Sequence, residues 1–591
     1  MLRQVLIAVA LAGLAIALAS AAPSAAAPSA RGGATQVSVP SLLMPGVSYQ
    51  REVEYTPHGP VVLDVVIAPR PDGSLYTLAP ALSNNAIVGT QTLTDIEKDA
   101  SATATVVGVN GDFFAPNPGA PTGILMRGGT LDFAPALERS SLGIGADGTL
   151  SVARVGFDGT WRGNDQRRQL DLNRPPIAGH TTLYTSAWGP TTPAENGVVA
   201  AVIGSLPPTA PNRVLTGFVT QSGSDGGIPI PPGGAVLVAR GNQAPHLGAE
   251  APAGSPVEIR LTLTPDWHAL VGAIGGGPAL VAGGKPVFRT NESFGDPVLN
   301  SRTARSAVGQ LSDGRILLVT VEGGSRGYSA GMTNYELAVA LARLGAVTAM
   351  SLGTGDSAAM AFDGSLLSRP SGAAEQAISD ALLFTYTGVY AAPPKSAVLS
   401  PNGDGVDDDQ AFDYRLVRAS TVTATLVAPD RSTRVLVQDG EQPGLHTLQW
   451  DGRTTTGATA PEGNWKLSIA AVDDRGAAST AERQFSVNDT LGALQATPAV
   501  AQLRPKARGS VAATFELAHR ARVTVTVEKR SGIVIATVLD AQLDPGAQKV
   551  LWNGRTWTGA LAFSGAYQLH VVATNSIGKV SLSAPFTAQR P

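Results

Sequence analysis

The sequence predicts a mixed α+β, β-rich domain followed by two all-β sandwiches, and three observations carry that prediction. Gly 67 and Pro 42 in 591 residues, with only 15% charged, describe short strands joined by tight turns. Between Arg302 and Ser371 the pattern runs from strand to helix to strand. RTARSAVGQ and ILLVTVEGG read as apolar strands, and Thr333 and Glu336 have the spacing of a capping box. Leu337, Leu341 and Leu344 share one helical face, Gly345 ends the helix, and 346–352 is an apolar strand closed by the turn Gly353-Thr354-Gly355-Asp356-Ser357. Beyond Ala397 the chain repeats itself: Trp450 and Trp552, Pro443 and Pro545, and Gly463 and Gly565 all stand 102 residues apart. About a hundred residues of short strands is the size of one β-sandwich.

In chain order, Arg3, an apolar run from Val5 to Leu18 and small residues at 19–21 and 25–27 read as an export signal within 1–30, with an Ala/Pro/Ser-rich spacer after it. Cleavage there leaves no stable membrane span and a secreted or cell-envelope protein. VVLDVVIAP and the turn Pro71-Asp72-Gly73 open a domain expected over 36–390. Thr94 and Glu97 repeat the capping-box spacing, and the buried-type strand 105–109 ends in Asn110-Gly111-Asp112-Phe113-Phe114. Helix, apolar strand and Gly-Asp turn thus occur here as they do at 333–357, so the two strand ends are expected to face one site. GAIGGGPALV at 272–281 brings backbone close to a ligand or to another chain segment. The sandwiches are expected over 395–489 and 495–590.

A net charge of −3 with mixed acids and bases leaves no footprint for nucleic acid. With no cysteine there is neither disulfide nor thiol chemistry. The seven histidines have no zinc spacing, and the chain has neither a P-loop nor a nucleophile elbow. Asn110, Asp112 and the phenylalanines 113 and 114 supply either an amide, a carboxylate and an apolar wall for a ligand, or an Asx turn with core aromatics. Arg302 and Arg305 suit a phosphate as an arginine fork, or are ordinary surface charges. Asp356 and Ser357 lie on a turn that either holds an anion or only reverses the chain. Asn402, Asp404 and Asp407, in Ser400-Pro401-Asn402-Gly403-Asp404-Gly405 and the acids after it, gather oxygen ligands as calcium loops do, although the glutamate that closes an EF-hand is missing. A structural calcium and a plain turn both fit; no other cofactor is required.

Taken in order, GVNGDFF at 108–114, PTGILMRGG at 121–129, IGGGPALV at 274–281, RSAVG at 305–309 and the helix, strand and turn of 333–357 resemble the phosphodiester glycosidase family. The resemblance covers roughly 53–390. It implies a mixed α+β catalytic-type domain that cleaves the glycosidic bond of a sugar phosphodiester, of the α-N-acetylglucosaminyl type, with a cell-envelope glycopolymer as one such substrate. It implies Asp112, Glu322 and Asp356 as catalytic carboxylates, and Asn110, Phe114, Arg305, Gly355 and Ser357 as substrate-binding residues. Gly353 stands where the family has an aspartate, and Asp356 is the nearest carboxylate after it. A binding protein for envelope glycan or anionic polymer, built on the same pocket without turnover, is the alternative. SPNGDG at 400–405, WDG at 450–452 and the pairs Gly463/Trp465 and Gly565/Tyr567 resemble FlgD-like immunoglobulin-like domains. The whole then reads as an α+β, β-rich catalytic-type domain followed by two all-β immunoglobulin-like sandwiches.

Overall fold

The computed structural model describes residues 35–590 apart from 137, 178, 288–290, 326, 404 and 505–509. The expected export signal lies outside these residues. No helix among the described residues is long and apolar enough to cross a membrane.

Two sheets packed face to face, each with a helix on its outer side, form the layered centre of the first domain. A nine-stranded antiparallel sheet places Gly59–Ala68 beside Ile316–Val321, then Arg305–Leu311, then Ala346–Thr354. Strand alternation sends Ala307, Leu317 and Val319 to the helix Asn334–Arg343, where they pack on Leu337 and Leu341. The opposite residues, Val308, Leu318 and Met350, meet Val107, Val109, Leu382 and Phe384 of a five-stranded sheet. That second sheet centres on Thr105–Asn110 and Asp380–Tyr386, and the helix Leu93–Ser101 covers its outer face through Leu93 and Ile96. The predicted capping box is present: Thr333 Oγ1 accepts from Glu336 N–H while Glu336 accepts from Thr333 N–H at 2.9 Å. The first helix is capped differently from the expectation. Thr92 accepts the Asp95 amide, and Thr94 instead binds Glu375.

The many short strands between these motifs form two units with no counterpart in the sequence reading. One is a five-stranded sheet containing Ser140–Gly145 and Leu270–Gly275, the other a closed seven-stranded barrel within 156–264 filled by Trp161, Leu183, Leu237 and Ile259. After Tyr390 the repeat is present in structure, with matching strands 101 or 102 residues apart, as Gln410–Leu416 and Val511–Leu517, or Gly444–Trp450 and Gly546–Trp552. Each copy pairs a three-stranded with a five-stranded sheet around one core. Trp450 Nε1 donates to Arg453 O at 3.0 Å, and Trp552 Nε1 to Arg555 O at 2.8 Å. Tyr390–Ala391 already pairs with Gln410–Leu416, so the first copy takes its edge strand from the expected end of the large domain.

The loop expected to hold calcium is tied by its own hydrogen bonds. Asn402 Nδ2 donates to Leu491 O at 3.1 Å, and the amides of Gly403 and Gly405 converge on Asp408 at 2.6 and 2.7 Å. Asp408 therefore closes the loop. Asp407 lies at φ 52° and its carbonyl accepts Ser400 N–H, while Asp404 lies outside the described residues.

Candidate active site

The two strand ends that the sequence assigned to one site do meet. Asn110 Nδ2 donates to Gly353 O at 3.0 Å, and Gly353 N–H donates to Gly111 O at 2.8 Å, which joins the two sheets at their ends. Asn110 Oδ1 also accepts Ala359 N–H, and the residue is fully buried. Its amide is a clip between strands, which corrects its expected contact with substrate.

Asp112 follows, with Oδ1 accepting Phe113 N–H at 2.7 Å and Oδ2 accepting Gly123 N–H at 2.5 Å. Its own N–H donates to Asp380 Oδ1 at 2.7 Å. The glycine run at 272–281 meets chain here: a Cβ on Gly275 would lie 2.3 Å from Asp112 Oδ2, and one on Gly111 would lie 1.7 Å from Asp380 Oδ1. Burial pushes Asp112 up to about 6 and, together with the charge of Asp112, pushes Asp380 up to about 7. Both oxygens of Asp112 accept backbone amides, so the carboxylate holds the turn, and at 3% exposure it is as buried as Glu322. Phe113, not Phe114, faces the adjoining surface, with Arg139 over its ring at 5.5 Å and over Phe294 at 4.6 Å. Phe114 packs on the cluster of Leu93 and Ile96.

Arg305 is also internal. Its Nε donates to Met332 O at 2.5 Å, Nη1 to Asn334 Oδ1 at 2.9 Å and Nη2 to Ser301 O at 2.7 Å, with none of the residue exposed. Burial pulls the guanidinium down to about 10. A phosphate cannot reach it, and the expected contact is corrected. The 353–357 turn likewise points inward in part: Gly355 N–H donates to Ala304 O, and Ser357 Oγ to Thr354 O at 3.0 Å. Asp356 is the exposed member, and it accepts Ser371 Oγ at 2.7 Å.

Glu322 sits at the end of Ile316–Val321, 2% exposed, in a constellation the sequence reading had not assembled. Its Oε1 accepts Arg51 Nη2 at 2.7 Å and Arg369 N–H at 2.9 Å. Arg51 Nε donates to Asp64 Oδ1 at 3.0 Å, as does Tyr49 Oη at 2.7 Å. Asp64 Oδ2 and Glu322 Oε2 are buried without a donor among the described residues, and the two carboxyls lie within hydrogen-bond reach of each other. Burial, then the Glu322 charge, pushes Asp64 up to about 7. The Arg369 guanidinium lies 4.8 Å from the centre of the Tyr328 ring. One signal for Asp64 was in the sequence: it is a lone charge inside VVLDVVIA, a strand apolar on both faces.

Asp112, Glu322 and Asp356 do not close into one cluster. Among the described residues, Glu462, Asp489 and His519, at the junction of the two C-terminal copies, are the set of three carboxylate or imidazole ligand atoms lying within 4.8 Å of one another. What links Glu322 to Asp356 is the segment 369–371, whose first residue binds one and whose last binds the other.

Residues 196–385, which contain both carboxylates, match the family model described as phosphodiester glycosidase. Over that stretch, about a third of the chain, the sequence is similar to the phosphodiester glycosidase family. A 107-residue stretch is 33% identical to the SPbeta prophage-derived uncharacterized protein YomE of Bacillus subtilis (strain 168), covering 18% of this chain and 16% of that relative's length. Among solved structures, a hypothetical protein from Synechocystis is similar at 26% identity with a TM-score of 0.49, over 58% of this chain and 62% of the other. The zebrafish N-acetylglucosamine-1-phosphodiester α-N-acetylglucosaminidase catalytic domain is similar at 15% identity with a TM-score of 0.31, over 59% and 87%. At Gly353, where the resemblance leads one to expect an aspartate, a Cβ would be crowded, lying 2.9 Å from Asn110 Nδ2 and 3.1 Å from Asp112 O.

Proposed function

We propose that the protein is an exported hydrolase that cleaves the glycosidic bond of a sugar phosphodiester, with Glu322 as the source of the proton for the departing phosphate and Asp356 as the base for the attacking water. The segment 369–371 carries this reading, because Arg369 N–H binds Glu322 at 2.9 Å and Ser371 Oγ binds Asp356 at 2.7 Å. Two residues of extended chain span at most about 7 Å, and a hydrogen bond at each end bounds the carboxyl separation at roughly 13 Å. The separation of about 6.5–9.5 Å that leaves room for a water between base and sugar, as inversion needs, falls inside that bound. Asp64, bridged to Glu322 by Arg51 and raised by burial to about 7, holds a proton near neutral pH, as such a step requires.

The substrate class is an α-N-acetylglucosaminyl phosphodiester, free or as part of a cell-envelope glycopolymer. The two C-terminal copies, read as FlgD-like immunoglobulin-like modules, space the domain from the surface on which it acts. Gly353 favours a second reading, a glycan- or anionic-polymer-binding protein without turnover, because the family's aspartate is absent there. Incubating the full chain with the methyl diester of N-acetyl-α-glucosamine 1-phosphate separates the two. Free N-acetylglucosamine, lost in Glu322→Gln and Asp356→Asn, supports the hydrolase. Binding of the diester without release supports the second reading.

A further inference from the structure

We infer that Glu462, Asp489 and His519 form a binding site for a divalent transition-metal ion of the zinc type, which pins the two C-terminal copies to each other. The site lies outside the large domain and is independent of the hydrolase reading.

The ligands converge from both copies, and one ligand atom of each lies within 4.8 Å of the other two. Glu462 stands just before the strand Gly463–Asp473 of the first copy, and Asp489 lies in the link between Ala478–Val487 and Leu491–Thr497. His519 lies in the turn after Val511–Leu517 of the second copy. The backbone beside each ligand is fixed. Pro461 O accepts the Trp465 indole N–H at 2.8 Å. Asn488 and Thr490, on either side of Asp489, are buried, and Asn488 Oδ1 accepts Thr490 N–H at 3.1 Å. Thr490 O in turn accepts Ala518 N–H at 3.0 Å, and Thr490 Oγ1 accepts Asn575 Nδ2 at 2.8 Å. Thr490 and Ala518, the neighbours of two ligands, are thus bonded to each other across the junction. Glu462 Oε1 accepts Asp489 N–H at 2.8 Å, which turns Oε2 to Nε2 of His519.

The donor set selects the ion. Two carboxylates with a neutral imidazole carry a charge of −2, and among the described residues no lysine or arginine lies within 4.0 Å of either carboxylate. A divalent cation matches that charge, whereas a proton on His519, as in its ion pair with Glu462, offsets half of it. One nitrogen and two oxygen donors suit zinc and its neighbours; calcium and magnesium take oxygen ligands. Bonds of about 2.0–2.2 Å in a tetrahedral arrangement put ligand atoms about 3.4 Å apart, so a movement of about 1.4 Å at most brings in the furthest ligand. His519 is exposed, which leaves a side open for the ion to enter and for water as a fourth ligand. The repeat assigns these residues to the junction and not to the module. Counted from Gly463 and Gly565, Ser564 takes the place of Glu462 in the second copy, and counted from Leu416 and Leu517, Arg418 takes the place of His519 in the first.

Zinc chloride titrated calorimetrically into the full chain is expected to fill one site that His519 and Asp489 control. Loss of a group that merely orients a metal ligand weakens binding about 10–100-fold, so His519→Ala and Asp489→Asn, which each remove a ligand, are expected to weaken it about a hundredfold or more. Zinc is expected to raise the melting transition of the C-terminal copies in the unaltered chain and to leave it in place in His519→Ala. Calcium chloride at equal concentration is expected not to displace it. No zinc binding by the unaltered chain, or equal affinity in both variants, overturns the site. Displacement by calcium overturns the part given to the imidazole. Zinc bound at this site without a shift of the C-terminal transition overturns the pin.

Discussion

Arg305→Met separates a structural arginine from a ligand-binding one. The guanidinium donates to Met332 O, Asn334 Oδ1 and Ser301 O. Met332 O retains the Thr303 amide at 3.3 Å after the change and Ser301 is exposed to water, so Asn334 Oδ1 is the one buried acceptor stranded. A buried acceptor left without a donor costs about 1–3 kcal/mol. Methionine returns part of this, because an apolar side chain of similar length replaces a cation that burial already disfavours. A net loss of about 1 kcal/mol follows, and in a domain of this size that is about 2 °C in melting temperature. Calorimetry on the full chain, following the transition of the large domain separately from the C-terminal copies, reads the shift. Phosphate binding by the folded variant should match the unaltered chain. An unchanged melting temperature together with lost phosphate binding would refute the assignment and return Arg305 to the substrate.

Two further predictions concern the same corner. Gly353→Asp, which restores the family's residue, is expected to give no gain in turnover and to cost about 1–3 kcal/mol, because its Cβ meets Asn110 Nδ2 at 2.9 Å and the fixed carbonyls of Asp112 and Gly111 at 3.1 and 3.2 Å; melting curves and a diester assay check both. Asp112 and Asp380 are raised from 3.8 to about 6 and about 7, so the folded state holds protons that the unfolded state has released. Their contribution is fully present below pH 3.8 and is lost as pH rises through 6 to 7, so the large domain should melt higher at pH 5 than at pH 8, with a smaller difference in Asp380→Asn.

The parts of the fold legible in the sequence are those with local causes. The capping box at Thr333 and Glu336 and the 102-residue repeat were read because a cap spans three residues and a repeat is its own evidence. The barrel within 156–264 was not, because its strands carry the same alternation as any half-buried sheet, and closure depends on which strands pair. Thr92 rather than Thr94 caps the first helix because Glu375, 281 positions away, claims Thr94. The site divides in the same way. That the ends of two strands meet was inferred from matching turns. Which polar groups face outward was not, since Asn110, Asp112 and Arg305 have the composition of ligands but are satisfied by backbone groups brought from distant segments. Asp64, Arg51, Tyr328 and Arg369 come from four separate stretches with no common motif, and only the sheet register places Asp64 opposite Thr320, two residues before Glu322.

The stereochemistry of hydrolysis tests the central claim most directly. Proton NMR of the sugar released from an α-N-acetylglucosaminyl phosphodiester identifies the first-formed anomer before mutarotation. With Glu322 and Asp356 separated by the 369–371 segment, the β-anomer should appear first, and Glu322→Gln and Asp356→Asn should each lower the rate by about 10²–10⁴. Release of the α-anomer, or rates in both variants equal to that of the unaltered chain, would contradict it.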